Sequence, residues 1–228
     1  VYLETANAVS PDDPELMLAL AKGYVKTNRK REAIELLKKV KATQQQDPEV
    51  RLRLFELYRG LDMLREAEQE IKQLIALEHD NRYLLAQAKL LKVQGKEKEA
   101  ANVLENILAT DPENMEALML KGDLLRKQKK YDQAIEVYKE AAYVDPNNAK
   151  AIYERAETYM EMSKPQWAET FYKRVLRADS EFGLAELGLA KVAKLRKNDD
   201  LYKKHVRKAK SLDPTNPEIL AEYRKAYE

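Results

Sequence analysis

The sequence predicts an all-α chain, a solenoid of antiparallel helix pairs with six repeats followed by a C-terminal helix. Three observations carry this expectation. Ala33, Ala67, Ala100, Ala134 and Ala168 recur at intervals of 34, 33, 34 and 34 residues, a period that belongs to stacked supersecondary units. Four and seven residues after each alanine the chain is apolar, as at Leu37 and Val40, Ile71 and Leu74, or Tyr172 and Val175. Spacing of i, i+4, i+7 is one face of a helix. Asp111-Pro112, Asp145-Pro146 and Asp213-Pro214 keep the same beat. Proline cannot continue a helix and restricts the residue before it, so these dipeptides close one unit and open the next.

Composition agrees. The 228 residues contain only six glycines, and 35% are charged, a balance that favours helix interiors. The formal charge of +2, from 41 basic and 39 acidic residues, points to no class of partner. There is no cysteine, so disulfides and thiolate metal sites are excluded. No run of 18 apolar residues occurs, so no helical membrane span is predicted.

A 34-residue period of helix, short turn, helix and closing Asp-Pro resembles the tetratricopeptide repeat (TPR). With the recurring alanine at repeat position 20, units begin at Pro14, Pro48, Asn81, Met115, Ala149 and Gly183, covering residues 14–216. The unit from Met115 matches the family pattern best, with Leu118, Gly122, Leu125, Tyr131, Ala134, Tyr138, Ala141 and Pro146 at positions 4, 8, 11, 17, 20, 24, 27 and 32. The resemblance implies a right-handed superhelix.

Taken in order, residues 1–13 read as the tail of a truncated preceding repeat, with Leu3, Ala6 and Pro11 at positions 24, 27 and 32. The chain is thus expected to be a segment of a longer one. Position 8 carries Ala21, Phe55, Ala88, Gly122, Ala156 and Ala190. A small residue there lets the two helices of a unit approach, and position 20 serves the same contact from the other side. Phe55 and Tyr202 break that rule, and overpacking costs about 1–3 kcal/mol unless neighbours adjust. Local irregularity is therefore expected in repeats two and six. Residues 217–228 start with Asn216 as a cap and Pro217 in the first turn, and read as a capping helix rather than an interrupted seventh repeat.

No catalytic constellation emerges, and the chain is read as not an enzyme. His79 and His205 are isolated and read as surface residues, and six scattered glycines make no phosphate loop. No cofactor is expected. Trp167, the only tryptophan, reads as a structural staple at the start of a second helix.

The resemblance implies a groove lined by first helices, with positions 2, 5, 9, 12 and 13 facing it. Position 5 is apolar throughout, at Leu18, Leu52, Leu85, Met119, Tyr153 and Leu187. Position 12 is basic at Arg59, Lys92, Arg126 and Lys194, and position 9 adds Lys89. Such a surface suits an acidic peptide with apolar anchors. The alternative is packing between adjacent first helices for the apolar line, and a solvated face for the basic one. The chaperone-type carboxylate clamp is absent, because no unit has Asn at position 6 or 9.

The expected function is a non-enzymatic scaffold that binds a partner segment, or another copy of itself, in the groove. The alternative is a regulatory or targeting region of a larger protein or enzyme. A weaker alternative is nucleic-acid binding through repeat six, where residues 183–228 hold eleven Lys and Arg against seven Asp and Glu. Asp199 and Asp200 interrupt that run, so nucleic acid is disfavoured. Similar arrays serve in bacterial envelope assembly, pilus biogenesis, polysaccharide secretion and organelle scaffolding, and in eukaryotic import and chaperone complexes; the Lys-rich, cysteine-free composition leans towards a prokaryotic source. Cytoplasm and periplasm both remain open.

Overall fold

The computed structural model describes residues 10, 13–44 and 46–227. The truncated repeat expected in residues 1–13 lies almost wholly outside them. Among the described residues the chain forms thirteen α-helices and no strands. Six pairs are α1 Pro14–Lys26 with α2 Lys30–Thr43, α3 Pro48–Arg59 with α4 Leu64–Leu77, α5 Asn81–Val93 with α6 Glu97–Thr110, α7 Met115–Lys127 with α8 Tyr131–Val144, α9 Ala149–Glu161 with α10 Pro165–Ala178, and α11 Gly183–Leu195 with α12 Asp199–Leu212. The C-terminal helix α13 spans Pro217–Tyr227. The residues group into two compact units, Val1–Ile107 and Leu108–Glu228.

Two local devices start and stop the helices. Most first helices open on a short polar side chain that accepts from free amides of the first turn. Asp13 Oδ1 accepts from Glu15 N at 3.0 Å, Asn114 Oδ1 from Ala117 N at 3.0 Å and Asn148 Oδ1 from Ala151 N at 3.0 Å. Each first helix then ends on a residue with positive φ, namely Asn28, Asp62, Gly95, Lys129, Ser163 and Lys197. These six occupy the same repeat position, 15. The amide after each reaches back over the last turn, as in Arg29 N to Tyr24 O at 2.8 Å and Lys130 N to Leu125 O at 2.9 Å. This is the left-handed helix stop that glycine makes at least cost. Only Gly95 uses glycine for it.

Small residues at positions 8 and 20 are buried where the helices of a pair touch. At position 8 Gly122 cannot be larger, because a Cβ there would lie 2.4 Å from the Tyr138 ring. α3 of pair two has 12 residues against 13 in the other first helices and keeps the same positive-φ stop at Asp62. Phe55 is buried in that pair. Pair six keeps ordinary helix lengths. Its Tyr202 is buried and donates to Glu222 Oε1 of α13 at 2.8 Å.

α13 is held by a polar cluster around the buried Glu222 and Tyr202. Glu222 pairs with Lys194 at 2.7 Å and Lys225 at 3.0 Å. Burial pushes its carboxyl up, but the bonds from Lys194, Lys225 and Tyr202 outweigh this and hold it at about 2. Ile219 on the same helix is fully buried, and Asn216 Oδ1 accepts from Glu218 N at 3.1 Å.

Candidate functional site

The first helices carry the position-5 apolar line and the position-12 basic line. In the N-terminal unit, Leu18 and Leu52 are half-buried against the core, and Leu85 is buried. Arg59 is exposed, with its guanidinium 5.8 Å from the centroid of the Phe55 ring. Lys89 and Lys92 are half-buried, and each is engaged with a neighbouring group.

A cavity of about 350 Å³ opens between α1, α2 and α3. Ala21, Val25, Leu37 and Leu57 make its apolar lining, and Lys22, Lys30, Arg53 and Glu56 supply its charges. Arg53 pairs with Glu49. Lys22 and Lys30 have no ion-pair partner among the described residues.

The C-terminal unit treats the same positions differently. Met119 and Tyr153 are half-buried against neighbouring cores, and Leu187 is buried. The Tyr153 ring lies 5.1 Å from Phe182 and 6.0 Å from Tyr172. Arg126 is tied to carboxylates of the next first helix, Glu154 at 2.8 Å and Glu161 at 3.2 Å. Burial works against the Arg126 charge, but Glu154 and its other neighbours raise its pKa above the ordinary value. Burial in turn pushes the Glu154 carboxyl up, against the pull of Arg126. Lys191 and Lys194 pair with Glu218 and Glu222 of α13 at 2.6 and 2.7 Å.

Position 24 completes the contrast. Tyr138 donates to Asp123 Oδ1 at 3.0 Å, and Tyr172 donates to Glu157 Oε1 at 2.5 Å. Both rings are fully buried. Burial first, and then Asp123 or Glu157, drive both hydroxyls well above their ordinary pKa. Each ring rests on a glycine, Tyr138 on Gly122 and Tyr172 on Gly188. The acids at position 9 of these two repeats, Asp123 and Glu157, thus each accept from a tyrosine fifteen residues later.

Other sequence candidates resolve locally. His79 is exposed. His205 is not a free surface residue, because its Nδ1 lies 2.6 Å from Glu186 Oε2. Glu186 is buried, and the bonds from His205 and Lys208 overcome the upward pull of burial and keep its carboxyl below the ordinary range. The basic stretch of repeat six is largely engaged inside the unit. Lys208 pairs with Glu186 at 2.5 Å, and Lys210 Nζ lies 3.6 Å from the centroid of the Tyr223 ring. Trp167 is 57% exposed and stacks on Tyr159 at 6.0 Å, which in turn stacks on Phe171 at 5.4 Å. No cluster of His, Cys, Asp and Glu that could hold a metal occurs among the described residues. No described helix is long and apolar enough to cross a membrane.

A tetratricopeptide repeat profile matches residues 1–52 and 125–192, and a second profile of the same description matches residues 85–149. The chain belongs to the tetratricopeptide repeat family. Solved structures place this TPR chain beside PilW, a type IV pilus biogenesis factor, at 19% identity and a TM-score of 0.72, covering 91% of this chain and 97% of that one. PilF of Pseudomonas aeruginosa follows at 18% identity and 0.68, covering 93% and 95%. YrrB, described as a TPR protein with an unusual peptide-binding site, matches at 16% identity and 0.60, covering 80% and 95%. At these identities the likeness is one of fold. A comparison with curated protein sequences returns no match. The TPR fold is suited to scaffolding protein partners.

Proposed function

We propose that this TPR chain is a non-enzymatic scaffold that holds a segment of a partner protein on the first-helix face of its N-terminal unit. One observation carries the reading: the open apolar cavity between α1, α2 and α3, with Lys22 and Lys30 uncommitted beside it. A pre-formed surface of this kind lets a flexible segment bind with less ordering cost on the protein side. The equivalent face of the C-terminal unit spends its charges on internal pairs, which leaves less for a partner. YrrB, a TPR protein of similar fold, is described by its peptide-binding site, which fits a peptide-holding role here.

Photo-crosslinking residues at the exposed positions Lys26 and Arg59 test the reading, with Lys39 and Lys72 on second helices as controls. In the native cell, adducts to one protein segment are expected from Lys26 and Arg59. Adducts arising only from Lys39 and Lys72, or no adducts from the first helices, would overturn it. The position-5 line serves less well as a test. Leu85 is buried, so a charge there would first report on stability.

A further inference from the structure

Deeply buried charges in the described residues are matched, with one exception. Glu70, Glu186 and Glu222 are each at least nine-tenths buried. Lys41 and Arg51 reach Glu70 at 2.5 and 3.1 Å, Lys208 and His205 reach Glu186 at 2.5 and 2.6 Å, and Lys194 and Lys225 reach Glu222 at 2.7 and 3.0 Å. Arg155 of α9 is placed as deeply, with 9% of its surface exposed. No carboxylate of the described residues pairs with it. Its Nε is sealed from solvent and has no hydrogen-bond partner. Burial pushes the guanidinium below its ordinary pKa, against the pull of Tyr159 and Glu136.

The surroundings of Arg155 add a second cation rather than an acid. Arg174 of α10 lies close enough to work against the Arg155 charge. Arg174 donates to Pro146 O at 3.4 Å and meets no carboxylate of the described residues. Glu136 of α8, which acts on Arg155 from a distance, is exposed and paired with Lys139 at 2.7 Å. Aromatic rings run outward from the same place. The Arg155 guanidinium lies 4.2 Å from the centroid of the Phe171 ring, and Phe171 stacks on Tyr159, which stacks on the exposed Trp167.

We propose that Arg155 and Arg174 form an anion site where α8, α9 and α10 meet, and that it takes a carboxylate side chain of a partner segment whose apolar neighbours rest on Trp167. A buried cation without an anion costs the free chain stability, and an incoming carboxylate removes that cost. The planar guanidinium fork suits an oxyanion. A carboxylate is favoured over a phosphate dianion because Glu136 already places a negative charge near the site. Arg51, also set between helices, shows the same preference within the chain, since it meets the carboxylate of Glu70. The site lies wholly in the C-terminal unit and does not depend on the scaffold reading of the N-terminal one.

The test titrates the full chain with the peptide Ser-Leu-Asp-Leu-Ser, amidated at its C-terminus and carrying a nitroxide at its N-terminus, and follows quenching of tryptophan emission. Trp167 is the only indole, so saturable quenching reports binding beside it. The Asp peptide is expected to quench saturably. The same peptide with Asn in place of Asp is expected to bind at least about tenfold more weakly, because it lacks the charge-assisted bonds. Arg155→Met removes the unmatched charge and is expected to abolish saturable quenching while raising the urea midpoint. Arg174→Gln, on a half-exposed residue, is expected to weaken binding several-fold and decides the matter if Arg155→Met folds poorly. Equal affinity for the Asp and Asn peptides, no saturable quenching in the wild type, or unchanged binding in the variants would overturn the inference. Displacement of the peptide by inorganic phosphate but not by acetate, at matched ionic strength, would overturn the choice of a carboxylate.

Discussion

Pair one and pair five share a register and differ in what fills it. In pair five Tyr172 closes the space beside the first helix, and Glu157 receives its hydroxyl. In pair one Leu37 leaves that space open, and Lys22 stands where the acid would be. The alanines at positions 8 and 20 give both pairs the same helix approach. The two pairs differ in the size of one side chain and the sign of one charge, but pair three, with Leu104 and Lys89 at the same positions, buries its leucine fully. Stacking is set by the residues every unit shares, and the exposed chemistry by the residues they do not share.

The charged side of this contrast can be broken at Arg126. Arg126→Met removes the cation that pairs with Glu154 in its partly buried site, at a cost of about 3 kcal/mol near neutral pH. The sign with pH follows from Glu154, whose folded pKa lies above the ordinary 4.5 even with Arg126 present. The folded state therefore holds this proton more tightly than the unfolded one, so stability from Glu154 is greatest at low pH and falls as pH rises from about 4.5. The variant's deficit in urea unfolding should shrink at pH 5 and grow at pH 8. A pH-independent deficit would contradict this account.

The packing side is sharpened at Gly188. An added Cβ would lie 2.3 Å from the Tyr172 ring, so Gly188→Ala is expected to cost about 1–3 kcal/mol. Adding Tyr172→Leu, which makes pair five resemble pair one, should recover part of that loss. A double-mutant cycle reads the coupling directly, and additive single effects would count against it.

The smallest effect lies in the turns that both units share. Lys129 adopts positive φ at position 15, where glycine pays no steric penalty. Lys129→Gly should stabilise by about 0.5–1 kcal/mol, seen as a higher midpoint. The same change at position 95 is already present in the chain, where Gly95 stands.

These residues also show how far the sequence could be read. The fold was legible because packing of identical units demands the same small residue at the same place, and five alanines obeyed. The left-handed turn at position 15 has no sequence signature, because Asn28, Asp62, Lys129, Ser163 and Lys197 stand where glycine would have marked it. Part of the basic line is held by carboxylates that the sequence places far away. Arg126 meets Glu154 and Lys194 meets Glu222, each 28 residues on. That interval joins position 12 of one unit to position 6 of the next, and it becomes visible only once adjacent first helices are laid side by side. The cavity left no mark in the sequence as such.

Trp167 gives the molecule an asymmetry of signal. As the only indole in the chain, stacked on Tyr159 in pair five, it makes tryptophan emission a reporter of the C-terminal unit alone, while circular dichroism sums helices from both. Repeat arrays need not melt as one body. The gap between those two unfolding curves would therefore measure how independently the two units of this chain come apart, with no label added.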